Sequence, residues 1–297
     1  MAKIAFRKIR MNKTNKIRLA LINEIIEDYQ AQGYVLTLRQ LYYQLVSRDV
    51  IPNKQIEYRK LSILLKEGRM AGIVDWDAIE DRLRKPSVPP SWNNPKDILT
   101  ACISQYACPR QAGQEHYLEV WVEKDALSGV LSRITKEYHI PILVCRGYSS
   151  ASAMFDSFER FKKAHKAGQA IKLLYVGDFD PSGEDMVRDI EDRIMEFANG
   201  IGIDLDFNIN KIALTSKQIQ QYNPPPNPAK MSDPRAANFV NLHGSQSWEV
   251  DALKPEVLNK LLNDNIKKLI DIDIYYEILK KENLDKKKLS KLAAQLK

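Results

Sequence analysis

Cysteine is scarce in this chain: only Cys102, Cys108 and Cys145 occur, and no two of them form a CxxC pair. That spacing excludes a disulfide framework and a cysteine zinc site, and it leaves buried or half-buried free thiols in a reducing cytoplasm as the expectation. Histidine is sparse too. His116, His139, His165 and His243 never fall at HxH or HExxH spacing, so a zinc or histidine catalyst is not expected. No apolar run approaches the roughly 18 residues of a membrane span. The first residues carry charge without the apolar centre of a secretory signal. Walker-type and GHKL-type ATP motifs are missing, so any ATP would have to be supplied by a separate ATPase subunit. There is no internal repeat and no long low-complexity tract.

What is present is an ordinary globular composition of 297 residues, 44% hydrophobic and 28% charged, enough for about two domains. The net charge of +7 is unevenly placed. Residues 1–85 hold 17 Lys/Arg against 10 Asp/Glu, and the remainder of the chain is balanced. Lys3, Arg7, Lys8, Arg10, Lys13, Lys16 and Arg18 come before the first acid. Such an arm suits a phosphate backbone, where each neutralised phosphate releases counterions; a solvated tail fits the same charges.

Helical periodicity runs from Asn15 to Tyr29 with a stop at Gly33. Thr37 caps a second helix through Leu38, Leu41, Tyr42 and Leu45, and a third spans about 57–71. Three short helices with a basic bias resemble a helix-turn-helix or winged-helix unit. Pro86 to Pro95 reads as a linker. Strand-like runs at 117–122, 141–145, 171–176 and within 205–214 alternate with helical segments, which predicts a mainly parallel sheet of βαβ units. Tyr222 to Pro234 reads as a loop. From Lys254 onward the chain is helical, with Ile266, Leu269, Ile270 and Ile274 as a buried stripe that serves either a domain core or a dimer contact.

The chemistry centres on Gly177-Asp178-Phe179-Asp180-Pro181-Ser182-Gly183, between a strand and a helix. Asp178 and Asp180 lie beyond the carboxyl end of the strand, where open α/β sheets bind ligands, and their i, i+2 spacing turns both to one side. Like charges so close invite a hard cation such as Mg²⁺. Capping of the following helix is the plainer use of the same residues. Glu123 ends the first strand, so a shared parallel sheet brings it to the same edge. Three carboxylates there suit metal-assisted phosphoryl chemistry; an ion pair of Glu123 with Lys124 or Arg146 is the alternative.

The segments EVWVEKDAL and LLYVGDFDPSGEDM resemble a Toprim domain, and VEKDA with GDFDPSG is similar to the topoisomerase VI A subunit and the related meiotic double-strand-break protein. Cys145-Arg146-Gly147-Tyr148 and Trp248-Glu249-Val250-Asp251-Ala252-Leu253 fit that family as well. Arg39-Gln40-Leu41-Tyr42-Tyr43 stands where the family carries its nucleophile, with Gln40 in place of the usual acid. Residues 48–84 depart from the larger A subunits and look more like the short Mini-A relatives. The resemblance covers about 115–190 most specifically.

The resemblance implies an α/β chain. A winged-helix domain at 1–90 would be followed by a linker at 91–114 and a Rossmann-like Toprim domain with a helical extension at 115–297. Tyr43 would attack a phosphodiester and leave a 5′-phosphotyrosyl link, Arg39 would stabilise the transition state, and Glu123, Asp178 and Asp180 would hold Mg²⁺, with Mn²⁺ as a substitute. Lys8, Arg10, Lys13, Lys16 and Arg18 are the expected DNA contacts. Two copies would form a symmetric homodimer on double-stranded DNA, each tyrosine facing the partner's metal site, in a cytoplasmic, nucleoid-associated protein. Tyr42 is expected to pack inward while Tyr43 faces DNA; core packing of both is the alternative, because Tyr275-Tyr276 shows that the dipeptide alone means little. A Toprim nuclease using metal-activated water, or a DNA-binding protein without catalysis, remains open from the sequence.

Overall fold

The computed structural model describes residues 3–80, 88–229 and 231–294. Three helices open it: α1 (Lys13–Ala31), α2 (Leu38–Ser47) and α3 (Gln55–Met70). Leu19, Ile22, Ile25 and Ile26 of α1 recur at helical spacing and meet Leu41 and Leu45 of α2 and Leu61, Leu64 and Leu65 of α3 in one core. Helix α1 stops where Gly33 takes a φ of 80°, a conformation that costs a glycine little. The basic segment before α1 runs along the end of α3, where the Phe6 and Arg7 amides donate to Met70 O. Besides the helices, residues 3–80 contribute only the isolated bridges Ala5–Ala71 and Leu36–Ile79. A three-helix unit is therefore present, without a two-stranded wing among the described residues.

Part of the expected 86–95 linker lies outside the described residues. Its continuation is helical: α4 (Pro95–Gln105) starts with Asn94 accepting from the Asp97 amide and Pro95 in the first turn, a standard helix start. Helix α4 packs on the last helix of the chain.

The second half contains β1 (His116–Val122), α5 (Asp125–Tyr138), β2 (Ile142–Val144), α6 (Ala151–Lys166), β3 (Ala170–Val176), α7 (Pro181–Gly200) and β4 (Phe207–Ala213). All four strands are parallel, in the order β2-β1-β3-β4. Period-two alternation sends Leu118, Val120 and Val122 into a core with α5. On the opposite face Trp121, Leu173 and Tyr175 pack with Met154, Phe158 and Phe161 of α6 and Ile190 and Ile194 of α7. Both faces are thus covered, as a parallel sheet requires. The chain steps from β1 outward to β2 and returns to β3 on the other side of β1, so the strand order reverses between β1 and β3. Ligands of open sheets bind at that crevice.

Beyond β4 come α8 (Ser216–Tyr222), the two-stranded ribbon of β5 (Asn227–Pro228) and β6 (Gln246–Ser247) enclosing α9 (Ala236–His243), and a single 3-10 turn at Val250–Ala252. Helices α10 (Pro255–Lys267) and α11 (Ile272–Ala294) close the fold. The stripe expected at 266–274 is shared: Ile266 is fully buried, while Leu269 and Ile270 pack partly against the same core. The 3-10 turn joins the two halves. Ala252 belongs to the N-terminal core, and α2 lies against this turn. The Asn259 side chain donates to the Tyr34 hydroxyl at 2.8 Å, a second tie between the halves.

Candidate active site

Strands β1 and β3 run in register, with Val122 opposite Val176, so the chain leaves the sheet at Glu123 and Gly177 side by side. The Asp178 amide donates to Glu123 Oε2 at 2.8 Å. One Asp178 carboxylate oxygen accepts from the Val250 amide at 2.9 Å, and the other lies 2.6 Å from the Lys124 ammonium. Asp180 caps α7: its Oδ1 accepts from the Gly183 amide at 2.6 Å and from the Ser182 hydroxyl at 2.8 Å. The capping role weighed for this motif thus belongs to Asp180, and Asp178 takes different partners. The ion pair considered for Glu123 does not form. Lys124 pairs with Asp178, Glu249 and Asp251, and Arg146 with Asp125.

Glu123 nevertheless feels its neighbours. Burial, with the charges of Asp178 and Asp180, pushes its carboxyl from the ordinary 4.5 up to about 7, against the pull of the Asp178 amide and Lys124. Burial also raises the Asp178 carboxyl, opposed chiefly by the Lys124 ammonium. Among the described residues no group of three or more His, Cys, Asp or Glu side chains stands in a metal-holding arrangement. The donor chemistry is still that of an oxygen-ligated hard cation: two of the three carboxyls are raised partly by neighbouring negative charge, which a divalent ion relieves.

The segment Trp248–Asp251 supplies what the sequence reading left without a role. Phe179, between the two aspartates, exchanges both backbone hydrogen bonds with Trp248, at 2.8 and 2.9 Å. This bridge brings Glu249 and Asp251 beside Asp178. Each acid then accepts from two cations. Glu249 Oε2 meets Arg39 Nη2 and, at 2.9 Å, Lys124 Nζ. Asp251 meets Arg39 Nε at 2.6 Å and Lys124 Nζ at 3.3 Å. The result is an alternating ring, Arg39–Asp251–Lys124–Glu249, extended through Lys124 to Asp178. Burial works to lower the Lys124 ammonium, but Asp251 and Asp178 outweigh it and leave it raised. Lys211, on β4, donates to the Asp178 carbonyl at 2.5 Å and pairs with Glu184 at 2.6 Å. Lys211 was not singled out from sequence, and Lys124, Glu249 and Asp251 were named there without these partners. A lysine flanked by acids looks like any solvated charge until the fold brings its partners together.

Arg39 reaches this ring from the first turn of α2. Thr37 and Gln40 form a reciprocal capping box there, so the glutamine in place of the family's acid has a structural use. The Tyr42 hydroxyl donates to Asn53 Oδ1 at 3.0 Å, and its ring stands edge-on to Tyr58. Tyr42 packs, as expected. Tyr43 packs as well: it is only 4% exposed, against the expectation of an outward face, because α2 is covered by the 3-10 turn and β5. Burial pushes its phenol well above the usual range, reinforced by Asp251 and opposed by Arg39, whose guanidinium lies 5.8 Å from the ring centre. The Asn227 side chain beside it also works against that rise. Tyr43 also borders a cavity of about 380 Å³ with Arg39, Asn53, Asn227 and Glu249.

The basic arm lies elsewhere in the N-terminal unit. Lys8, Arg10, Lys13 and Lys16 are exposed, and Arg18 is half-buried and exerts its charge on Glu57. Of the cysteines, Cys108 is buried and Cys145 half-buried, while Cys102 is exposed on α4, contrary to the expectation of packed thiols. No described helix is long and apolar enough to cross a membrane. No family model, curated protein or solved structure matches this chain.

Proposed function

We propose that this protein cleaves double-stranded DNA with Mg²⁺, by attack of Tyr43, in the manner of a topoisomerase VI A subunit with a winged-helix-like N-terminal unit and a Toprim-like second half. One observation carries the reading. The tyrosine helix and the carboxylate edge of the sheet, more than 70 residues apart in sequence, share one polar network through Arg39, Asp251, Lys124 and Asp178.

In this reading the Tyr43 phenol gives its proton to solvent and its oxygen bonds to phosphorus. The bond from phosphorus to O3′ breaks, O3′ leaves as a hydroxyl with a proton from solvent, and the 5′ phosphate stays on the tyrosine. Arg39 neutralises charge on the non-bridging oxygens. Glu123, Asp178 and Asp180 would hold Mg²⁺, or Mn²⁺ in its place, after Lys124 gives up Asp178; the ion would polarise the phosphate and offset charge on the leaving oxygen. Because Tyr43 is buried, Asn227 and the β5 segment have to move off it before DNA can be reached. The basic arm supplies phosphate contacts, and two copies act on the two strands as a homodimer. A separate ATPase subunit is needed only for strand passage.

The burial of Tyr43 favours a second reading, in which a metal-activated water cuts and the tyrosine only packs. Cleavage of supercoiled plasmid with Mg²⁺, stopped with SDS, separates the two. Linear DNA that enters the gel only after protease supports tyrosine attack, and linear DNA indifferent to protease supports hydrolysis. No cleavage with Mg²⁺, nor with Mn²⁺ in its place, would leave at most a DNA-binding protein.

A further inference from the structure

Arg39 lines three cavities. One, of about 380 Å³, is bordered by Tyr43 and Asn227; a second, of about 370 Å³, by Glu123, Lys124, Arg146 and Gly147; the third, of about 480 Å³, by Lys66, Arg69 and Trp76. No other described residue lines the first two together. Its guanidinium is gripped along one edge only: Nε by Asp251 and Nη2 by Glu249. No described residue accepts from Nη1. A planar guanidinium held by two adjacent nitrogens cannot rotate, so the direction of the remaining nitrogen is set by the two acids.

The acids are themselves fixed. The Asp251 side chain is fully buried, and the Phe179–Trp248 bridge ties this segment to the DFD turn. Lys124 also spans both acids and reaches Asp178. Aspartates and glutamates so placed could merely glue α2 to the sheet. Glue, however, does not require both acids to meet the same two cations, nor the bridging arginine to stand between the tyrosine cavity and the carboxylate cavity.

We propose that Glu249 and Asp251 are positioning residues that aim the free Nη1 edge of Arg39 at a phosphate seated beside Tyr43. The inference rests on the cleavage reading above and adds the pair of acids that makes its arginine effective. Neither acid touches the reacting atoms. Both act through Arg39, and Lys124 helps hold them in place.

The test compares Asp251→Asn, Glu249→Gln and Asp251→Glu with the unaltered chain. Covalent cleavage of a duplex is timed with Mg²⁺, and affinity is measured by anisotropy with Ca²⁺ in a Tyr43→Phe background. Loss of aim lowers the cleavage rate by about 10- to 100-fold while affinity is unchanged, and Asp251→Glu recovers part of the rate. A merely structural role lowers rate and affinity together and gains nothing from Asp251→Glu; that result overturns the proposal. The Arg39 Nε–H resonance, read by ¹⁵N NMR, is a measure independent of activity. It is expected downfield and slow to exchange in the unaltered chain and ordinary in Asp251→Asn. If the unaltered chain shows an ordinary, fast-exchanging signal, the grip does not exist. Should no covalent cleavage occur at all, the cleavage reading fails, and the NMR signal still decides whether the acids hold the arginine.

Discussion

Glu123 offers a quantitative handle on the carboxylate edge. Its carboxyl is pushed from 4.5 up to about 7 by burial and by the neighbouring Asp178 and Asp180 charges. A group with a higher pKa in the folded chain holds its proton more tightly there, so ionising it works against folding. Stability from this source is fully present below pH about 4.5 and is lost as the pH rises through about 7. The shift corresponds to on the order of 3 kcal/mol. Glu123→Gln keeps the shape and removes the ionisation. At pH 8 the variant should therefore be more stable than the parent by up to about 3 kcal/mol, a rise in melting temperature of about 6–12 °C in a chain of this size. Near pH 4 the two should melt together. The assay is urea and thermal unfolding followed by circular dichroism across that range. Added Mg²⁺ should narrow the gap at pH 8, since a cation relieves the same repulsion in the parent. A variant equal to the parent at both pH values, or less stable at pH 8, would refute the reasoning.

Other consequences are cheaper to check. Gly183→Ala should lose about 1–3 kcal/mol in urea unfolding, because a Cβ there would clash with the Asp178 carbonyl oxygen and stand 3.0 Å from its carbon; backbone cannot swing aside as a side-chain end can. Thr37→Ala breaks half of the α2 capping box and should cost about 1 kcal/mol, read by the same unfolding curves. Replacing exposed Lys8, Arg10, Lys13 and Lys16 by glutamine should flatten the dependence of log affinity for duplex DNA on log salt by about 0.9 per lost phosphate contact; an unchanged slope means the arm does not touch DNA. Mixing Tyr43→Phe with Asp178→Asn chains tests the dimer. If each tyrosine serves its partner's carboxylates, the mixed dimer has one intact site and nicks DNA; if each serves its own, neither site works.

Much of this was legible before the fold was known. The alternation of apolar strands with amphipathic helices announced a parallel sheet, and once β1 and β3 are neighbours in register, Glu123 and Asp178 must leave it together. Thr37 was readable as a cap, though its reciprocal partner Gln40 was not. Helix α4 was not, because Pro and Asn at 93–95 signal a break and a helix start equally well; Asn94 and Pro95 turned out to be the start. The outward face of Tyr43 failed for another reason. Helical spacing separates Tyr42 from Tyr43 by direction, but it cannot foresee that β5 and the 3-10 turn cover the second direction as well. The ring of Arg39, Asp251, Lys124 and Glu249 joins residues from three distant segments, and no periodicity encodes such a meeting.

The central claim is that Tyr43 becomes joined to DNA. Tryptic digestion after reaction with a short duplex and Mg²⁺ should release Gln40–Arg48, which contains Tyr42 and Tyr43, for fragment mass spectrometry. A nucleotide is expected on Tyr43, absent without metal and absent from Tyr43→Phe. DNA cut to completion with this peptide unmodified, or modified on Tyr42, would contradict it.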